Sequence, residues 1–521
     1  MNKYGRFTEY CILAAMVVHI GCRPAQFDMT SKDKRMTTTK IALKDAQAKR
    51  VWEIFRQIDR IPRCSKKEMQ IIEWLKDYAK SRNLIYRNDA VSNLVIELPA
   101  TKGYEKSPAV VLQSHVDMVC EKTPESKHDF SKDPIELIER DGWVCADGTT
   151  LGADDGIGVS LAVALVDEKL THPKLELLFT VDEETGLTGA NALQAGFITG
   201  KYLVNLDGED ESFIVGCAGG QQTEISLNIE GTDAPVGYEP YILKVSGLHG
   251  GHSGIDIDKN YANAIKLLAK TLSAIQSQVV LGISSINGGK AANAIPRDAK
   301  AVIRLEPSHI NKVQAIVTDS ELTFNKEFAA TEPSLKIELK KTDTTQTSII
   351  NNQLSIINLL TAIPTGVERM SDEFKGTVET SNNLASIKTD DGKNLIHITT
   401  MQRGFDMASM QELTDKITDA AKKAGAEVEM SNRYPAWKPD TNSTLLKRAK
   451  EVYRKLYRKE PQTKVVHAGL ETAVIGEKFP DIEMISIGPT IENPHSPLER
   501  VNIASVDSAW EFLLALLTML K

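Results

Sequence analysis

What this 521-residue chain lacks narrows the field before any motif is read. None of its six cysteines (Cys11, Cys22, Cys64, Cys120, Cys145, Cys217) stands in a CxxC pair, which excludes zinc-finger and thioredoxin-like redox motifs. In so long a chain they are expected to be free thiols rather than a disulfide framework. There is no basic surplus: 62 Lys and Arg stand against 70 Asp and Glu, a formal charge of −8, so a nucleic-acid surface is not expected. The apolar stretch at residues 10–21 is too short for a stable membrane span. The glycine-rich segment GLHGGHSG (residues 247–254) lacks the Lys-Ser/Thr ending of a phosphate loop, which discounts nucleotide binding.

The rest of the composition is that of a soluble globular protein, with 41% hydrophobic and 25% charged residues. The length implies two or three folding units. At the N-terminus a basic start (Lys3, Arg6) precedes the apolar stretch and Cys22, a pattern similar to a short secretion signal with a lipid-acceptor cysteine. Glu9 and His19 interrupt that pattern, and Met29 and Met36 offer alternative starts. The expected location is cytoplasmic, with an exported lipoprotein anchored at Cys22 as the alternative.

Helical spacing of Val51, Ile54, Phe55 and Ile58, then of Met69, Ile72, Trp74 and Leu75, predicts two helices broken at Pro62. Strand-like runs follow at 94–98, 109–112, 175–180 and 201–206, with a helical pattern at 156–167. This alternation predicts an α/β unit with a mixed, mostly parallel sheet. From about residue 221 the texture changes to alternating strands (223–229, 241–245, 301–305, 395–402) and helices (261–275, 410–421), an antiparallel α+β module. Its two strand–helix rounds suggest a duplicated half-domain without a sequence repeat. The turn-rich segment 432–442 reads as the return to the first unit, and a final helix is expected at 506–520. The expected layout is therefore a leader or extension at 1–40, a catalytic domain at 41–220 and 433–521, and an inserted domain at 221–432.

Acids and histidines follow the strand-like runs in order: His115 and Asp117, Asp154, Glu183 and Glu184, Asp207, and far away His495. Ligands gather at the carboxyl ends of strands in such sheets, so residues distant in sequence converge there. The series reads as a two-metal hydrolase centre held by His and carboxylates, the donor set of a catalytic site. Asp117, two residues from His115, is placed to orient the imidazole, although an ordinary turn residue fits as well. Asp154 and its neighbour Asp155 cannot both face one centre easily; one could bridge two metals while the other caps the helix. In the Glu183–Glu184 pair one carboxylate can ligate while the other takes a proton from metal-activated water. The triplet with Asp182 is costly unless something cationic offsets it. His249 or His252 could stabilise a developing oxyanion, or be a solvated turn residue.

The motifs HVDM, LGADDGIG, DEETG, NLDGED, GLHGGHSG, NAIPR, HAGLE and GPTIENPHSP resemble, in this order, those of aminoacyl-histidine (Xaa-His) dipeptidases of the di-zinc aminoacylase/carboxypeptidase superfamily. The likeness runs from about Ile41 to the C-terminus. It implies a catalytic domain with an inserted lid, and two divalent ions, zinc with cobalt or manganese as alternatives. It also implies roles. His115 and Asp207 would hold one metal, with Asp117 orienting His115. Glu184 and His495 would hold the other metal, Asp154 would bridge the two, and Glu183 would be the general base. His252 would be the lid histidine that polarises the scissile carbonyl. Asn293 and Arg403 would bind the substrate, including its carboxylate, and His467 and Gly469 would line its far end. Asp155 departs from the likeness, since the family often has Asn there.

The implied activity is hydrolysis of short peptides with a free C-terminus, Xaa-His dipeptides among them. An N-acyl amino-acid deacylase or tripeptidase on the same scaffold is the alternative, and a non-catalytic binding protein a more distant one. The partner is a small peptide, and both a monomer and a homodimer are compatible with the likeness.

Overall fold

The computed structural model describes residues 46–344, 348–390 and 392–521. The leader reading at 1–40, the lipid anchor at Cys22 and the starts at Met29 and Met36 lie outside the described residues. Two sheets organise the chain. The first is eight-stranded and runs from edge to edge as Ile85–Asn88, Leu94–Leu98, Leu175–Thr180, Val110–His115, Tyr202–Asn205, Glu483–Ser486, Phe213–Cys217 and Thr463–Val466. It is mixed: Val110–His115 lies parallel to both Leu175–Thr180 and Tyr202–Asn205, while Leu94–Leu98 is antiparallel.

The central strands are apolar on both faces because helices cover both. On one face Val110, Leu112, Leu175, Leu177 and Phe179 pack with the helices Lys49–Ile58, Ala153–Ala164 and Ile503–Met519. On the other, Val111, Leu178 and Leu203 pack with Ala190 and with Ala473, Val474 and Ile475 of the helix Glu471–Lys478. The alternation of strand side chains thus feeds two cores.

The second sheet is antiparallel throughout. Its path is Lys336–Lys341, Glu239–Ser246, Ala299–Leu305, Gly282–Gly288, Val378–Asp390, Leu395–Gly404, Gly219–Asn228 and Glu427–Tyr434, with Gly366–Met370 paired beside Val378–Asp390. Its helices include Ala264–Gln276 and Met407–Lys423, capped by the side chains of Asn263 and Asp406. They bury a separate core around Leu243, Leu268, Ile303, Ile398 and Ile417. The two strand–helix rounds meet within this one sheet, through a short pairing of Gly282–Gly288 with Val378–Asp390.

One sequence expectation is corrected here. Cys64 and Cys120 form a disulfide, with Cα atoms 5.7 Å apart. CxxC spacing and chain length are blind to it, because the pair is 56 residues apart in sequence. Topology brings the two together: Cys64 bridges to Met118 in parallel, and the Met118 N–H bonds to the Arg63 carbonyl at 3.1 Å. Cys145 and Cys217 are free, as expected. Closing a loop of this size stabilises by about 4 kcal/mol in the chain-entropy account. The Cys64→Ser/Cys120→Ser protein should therefore melt roughly 4 °C lower than the parent, measured by calorimetry without reductant. An unchanged melting temperature would mean that the pair does not close in solution.

Candidate active site

The strand ends place the site. His115 is the last residue of its strand, Glu183 comes three residues after Thr180, and Asp207 two after Asn205. These three strands are parallel neighbours, so their carboxyl ends open on one crevice. Asp154 reaches the same point from the start of the helix Ala153–Ala164, where the backbone is non-helical at both Asp154 and Asp155. His495 arrives from a loop, with a left-handed φ of 59°.

Asp154 sits at the middle. Its Oδ1 is 3.0 Å from His115 Nε2, and its Oδ2 is 2.9 Å from His495 Nε2. Asp207 Oδ1 lies 3.5 Å from the same nitrogen of His115, and Glu184 Oε2 lies 3.0 Å from the same nitrogen of His495. Two triads result, His115–Asp154–Asp207 and Asp154–Glu184–His495, each with donor atoms close enough to surround a cation. They share one carboxylate, with one oxygen turned to each side.

The charge balance fits a cation at each triad. Burial pushes the Asp207 carboxyl up to about 7, against the pull of His115. Burial also works against the charged form of Asp154, yet hydrogen bonds with His115 and His495 outweigh it and hold its carboxyl well below the usual range. Hydrogen bonds to Asp154 and Glu184 raise the His495 imidazole to about 11. Glu184 Oε1 is buried with no hydrogen-bond partner. Among the described residues no lysine or arginine forms an ion pair with Asp154, Glu184 or Asp207. Buried acids held this way want positive charge, and a divalent ion supplies it.

Asp117 is no ordinary turn residue. It is fully buried, and its Oδ1 lies 3.3 Å from His115 Nδ1. The same carboxylate accepts the N–H of Glu183 at 3.0 Å, the N–H of Glu184 at 3.3 Å and the Ser65 hydroxyl at 2.8 Å. One side chain thus lies against the imidazole and holds the turn that carries the glutamates. Asp155 caps, as one of the two adjacent acids was expected to: its Oδ1 accepts the Gly158 N–H and its Oδ2 the His115 N–H. Thr185 and Thr188 donate to the Asp182 carboxylate.

Sequence reasoning missed two buried acids. Glu499 accepts the N–H groups of Leu151, Gly152, Ala153 and Asp154 at 2.7–3.3 Å, so it is the anion at this helix start and it steers the Asp154 loop. Glu471 lies behind the centre, accepting from Gln113 and Thr180 at 2.6 Å each. It belongs to the quoted HAGLE motif, but no spacing rule points from residue 471 to residues 113 and 180.

A second group of side chains carries the remaining sequence candidates. His252 Nδ1 accepts the N–H groups of Gly254 and Ile255 at 3.2 and 3.1 Å, which puts the ring proton on Nε2. Burial and the nearby Arg403 keep this imidazole below its ordinary value. His249 instead stacks on Tyr261, with ring centroids 4.3 Å apart. The carbonyl of Asn293 holds the Ser253 N–H at 2.7 Å, with the Asn293 side chain exposed. His467 is buried against Ser381, Nε2 to Oγ 2.7 Å, and burial together with Arg403 lowers it to about 3. Gly469 makes room for the ring of Tyr434, which a Cβ there would meet at 2.8 Å. Arg403 is 5% exposed and bonds to Tyr434 and Ser253 only through neutral oxygens. The short run from His467 through Gly469 to Glu471 joins this group to the acids behind the first.

The chain is similar to known proteins along most of its length. Residues 111–519 match the model of peptidase family M20/M25/M40. The chain is 38% identical over 470 residues to the cytosol non-specific dipeptidase of Escherichia coli strain K12, covering 90% of this chain and 96% of the relative. Its structure is similar to that of aminoacylhistidine dipeptidase from Vibrio alginolyticus, with a TM-score of 0.84 at 35% identity, covering 91% of this chain and 97% of that one. The aminopeptidase PepT of Bacillus cereus shares the fold at a TM-score of 0.53 and 18% identity, covering 91% of this chain and 99% of that one.

Proposed function

The chain belongs to peptidase family M20/M25/M40, and on that premise we propose that it is a metal-dependent dipeptidase cleaving short peptides with a free C-terminus, Xaa-His dipeptides among them. The observation that carries the reading is Asp154, one carboxylate turned by its two oxygens toward two histidines. His115, Asp154 and Asp207 would hold one divalent ion, and Asp154, Glu184 and His495 the other. Such ions lower the pKa of water to about 7 and polarise a carbonyl. His and carboxylate donors take Zn²⁺, Co²⁺ or Mn²⁺; zinc is the reading preferred here. The strands from Gly219 to Tyr434 form the lid of a catalytic domain built from the flanking segments.

The protein's own groups do the rest. Glu183 takes the proton of the attacking water and delivers it to the leaving amine. His252 offers its Nε2–H to the carbonyl oxygen as charge develops there. Arg403, a buried cation bonded only to neutral oxygens, binds the substrate carboxylate, beside Asn293, His467 and Gly469.

The test compares free-acid dipeptides, their C-terminal amides, tripeptides and N-acyl amino acids on the metal-loaded enzyme. Free-acid dipeptides should be cleaved fastest. Arg403→Lys should raise KM for them at least about ten-fold with kcat nearly unchanged, because an ammonium cannot replace the bidentate fork. Faster cleavage of N-acyl amino acids would replace the dipeptidase reading with the deacylase one.

A further inference from the structure

Four neighbouring strands of the second sheet place four residues in one row. Tyr434 pairs with Gly220, Gly220 with Arg403, and Arg403 with Ser381. Residues directly opposite one another across antiparallel strands share a face of the sheet. Gly220 therefore leaves a gap between Tyr434 and Arg403, and the two side chains meet across it: Arg403 Nη1 donates to the Tyr434 hydroxyl at 2.5 Å. A side chain on Gly220 would collide with the Tyr434 ring. The ring lies also against Gly469 of the loop that begins at His467, whose imidazole bonds to Ser381 at the other end of the row.

The hydrogen-bond partners of the guanidinium are two hydroxyls, those of Tyr434 and Ser253. Burial and the Arg403 charge hold the imidazoles of His252 and His467 below their ordinary values. No carboxylate competes for the cation among the described residues, although its position is fixed.

We propose that Tyr434 is the positioning residue that aims Arg403 and makes the enzyme select a free α-carboxylate on its substrate. This rests on the reading of Arg403 as the carboxylate-binding residue. The phenol oxygen occupies one guanidinium N–H and, with the Ser253 hydroxyl on Nε, fixes the plane of the fork, leaving the remaining donors and the whole charge for the ligand. A carboxylate in place of the phenol would take up that charge, and a side chain on Gly220 would drive the ring away.

The experiment measures kcat and KM for a dipeptide and for its C-terminal amide on the metal-loaded parent and on Tyr434→Phe, with melting temperatures of both. The phenylalanine ring keeps the packing on Gly220 and Gly469 and loses only the oxygen. A hydrogen bond to a charged group of this kind is worth about a ten-fold to hundred-fold change in binding. KM for the free acid should rise by that factor while kcat and the kinetics of the amide stay within about two-fold. The parent's preference for acid over amide should shrink accordingly. An unchanged preference in Tyr434→Phe overturns the role of Tyr434 while leaving that of Arg403 standing. Equal losses on acid and amide, or a lowered melting temperature with the preference intact, assign Tyr434 to folding alone and overturn it too. A parent that does not distinguish acid from amide instead removes the reading of Arg403 on which the proposal rests.

Discussion

Glu183→Ala is expected to lower kcat by about 100- to 10,000-fold, the range lost when a positioned general base is removed, while metal content stays near that of the parent. The backbone at this position is held independently of the side chain, because Asp117 accepts the N–H groups of both Glu183 and Glu184. Neither of the two triads that meet at Asp154 includes Glu183. Burial pushes its carboxyl well above the ordinary value, and the neighbouring charges of Asp207, Glu471 and Glu184 push the same way against His115. A carboxylate in such surroundings takes a proton readily, which is what the attack of water demands of it. Glu183 also lies within ligand distance of His115 and Glu184, so metal analysis of the variant decides between base and ligand. Loss of one metal equivalent together with activity would make Glu183 a ligand and leave the base unassigned.

Asp154→Asn should have the second large effect, and a different one. It removes the shared negative charge and turns one of the two oxygens into an amide nitrogen, which cannot ligate as a carboxylate oxygen does. Both triads lose a member at once, so metal bound per chain should fall from two to below one after dialysis. Activity should fall at least about a hundred-fold, the upper end of what even outer partners of a metal site cost. The fold should survive, since Glu499 holds the backbone N–H groups of residues 151–154 without the Asp154 side chain. Retention of both metals in Asp154→Asn would show that the two histidines are served by separate sites.

Where the chain was legible, the reason is burial on both sides. The run at 175–180 reads as a strand because every one of its residues is buried between two cores. With the strands located, their carboxyl ends located His115 and Asp207. The limits of reading are equally physical. The turn-rich segment 432–442 begins inside the strand Glu427–Tyr434, whose pairing is interrupted after Ser431 and resumes at Tyr434 opposite Gly220. The N–H groups ahead of Asp154 look open to any anion, but the one that fills them, Glu499, lies about 350 residues later and carries no periodic signal. The Cys64–Cys120 bridge and the Glu471 contacts are likewise products of topology. Motif order could name Arg403, but only the lateral register of four strands puts it beside Tyr434 across a glycine.

The most direct measurement is a metal titration of chelator-treated protein, followed by hydrolysis of β-alanyl-histidine and a second dipeptide alongside bound metal. Activity should be absent without metal, return on addition of Zn²⁺, Co²⁺ or Mn²⁺, and level off at two equivalents per chain. Full activity in the metal-free protein, or two equivalents bound with no dipeptide cleaved, would contradict the account.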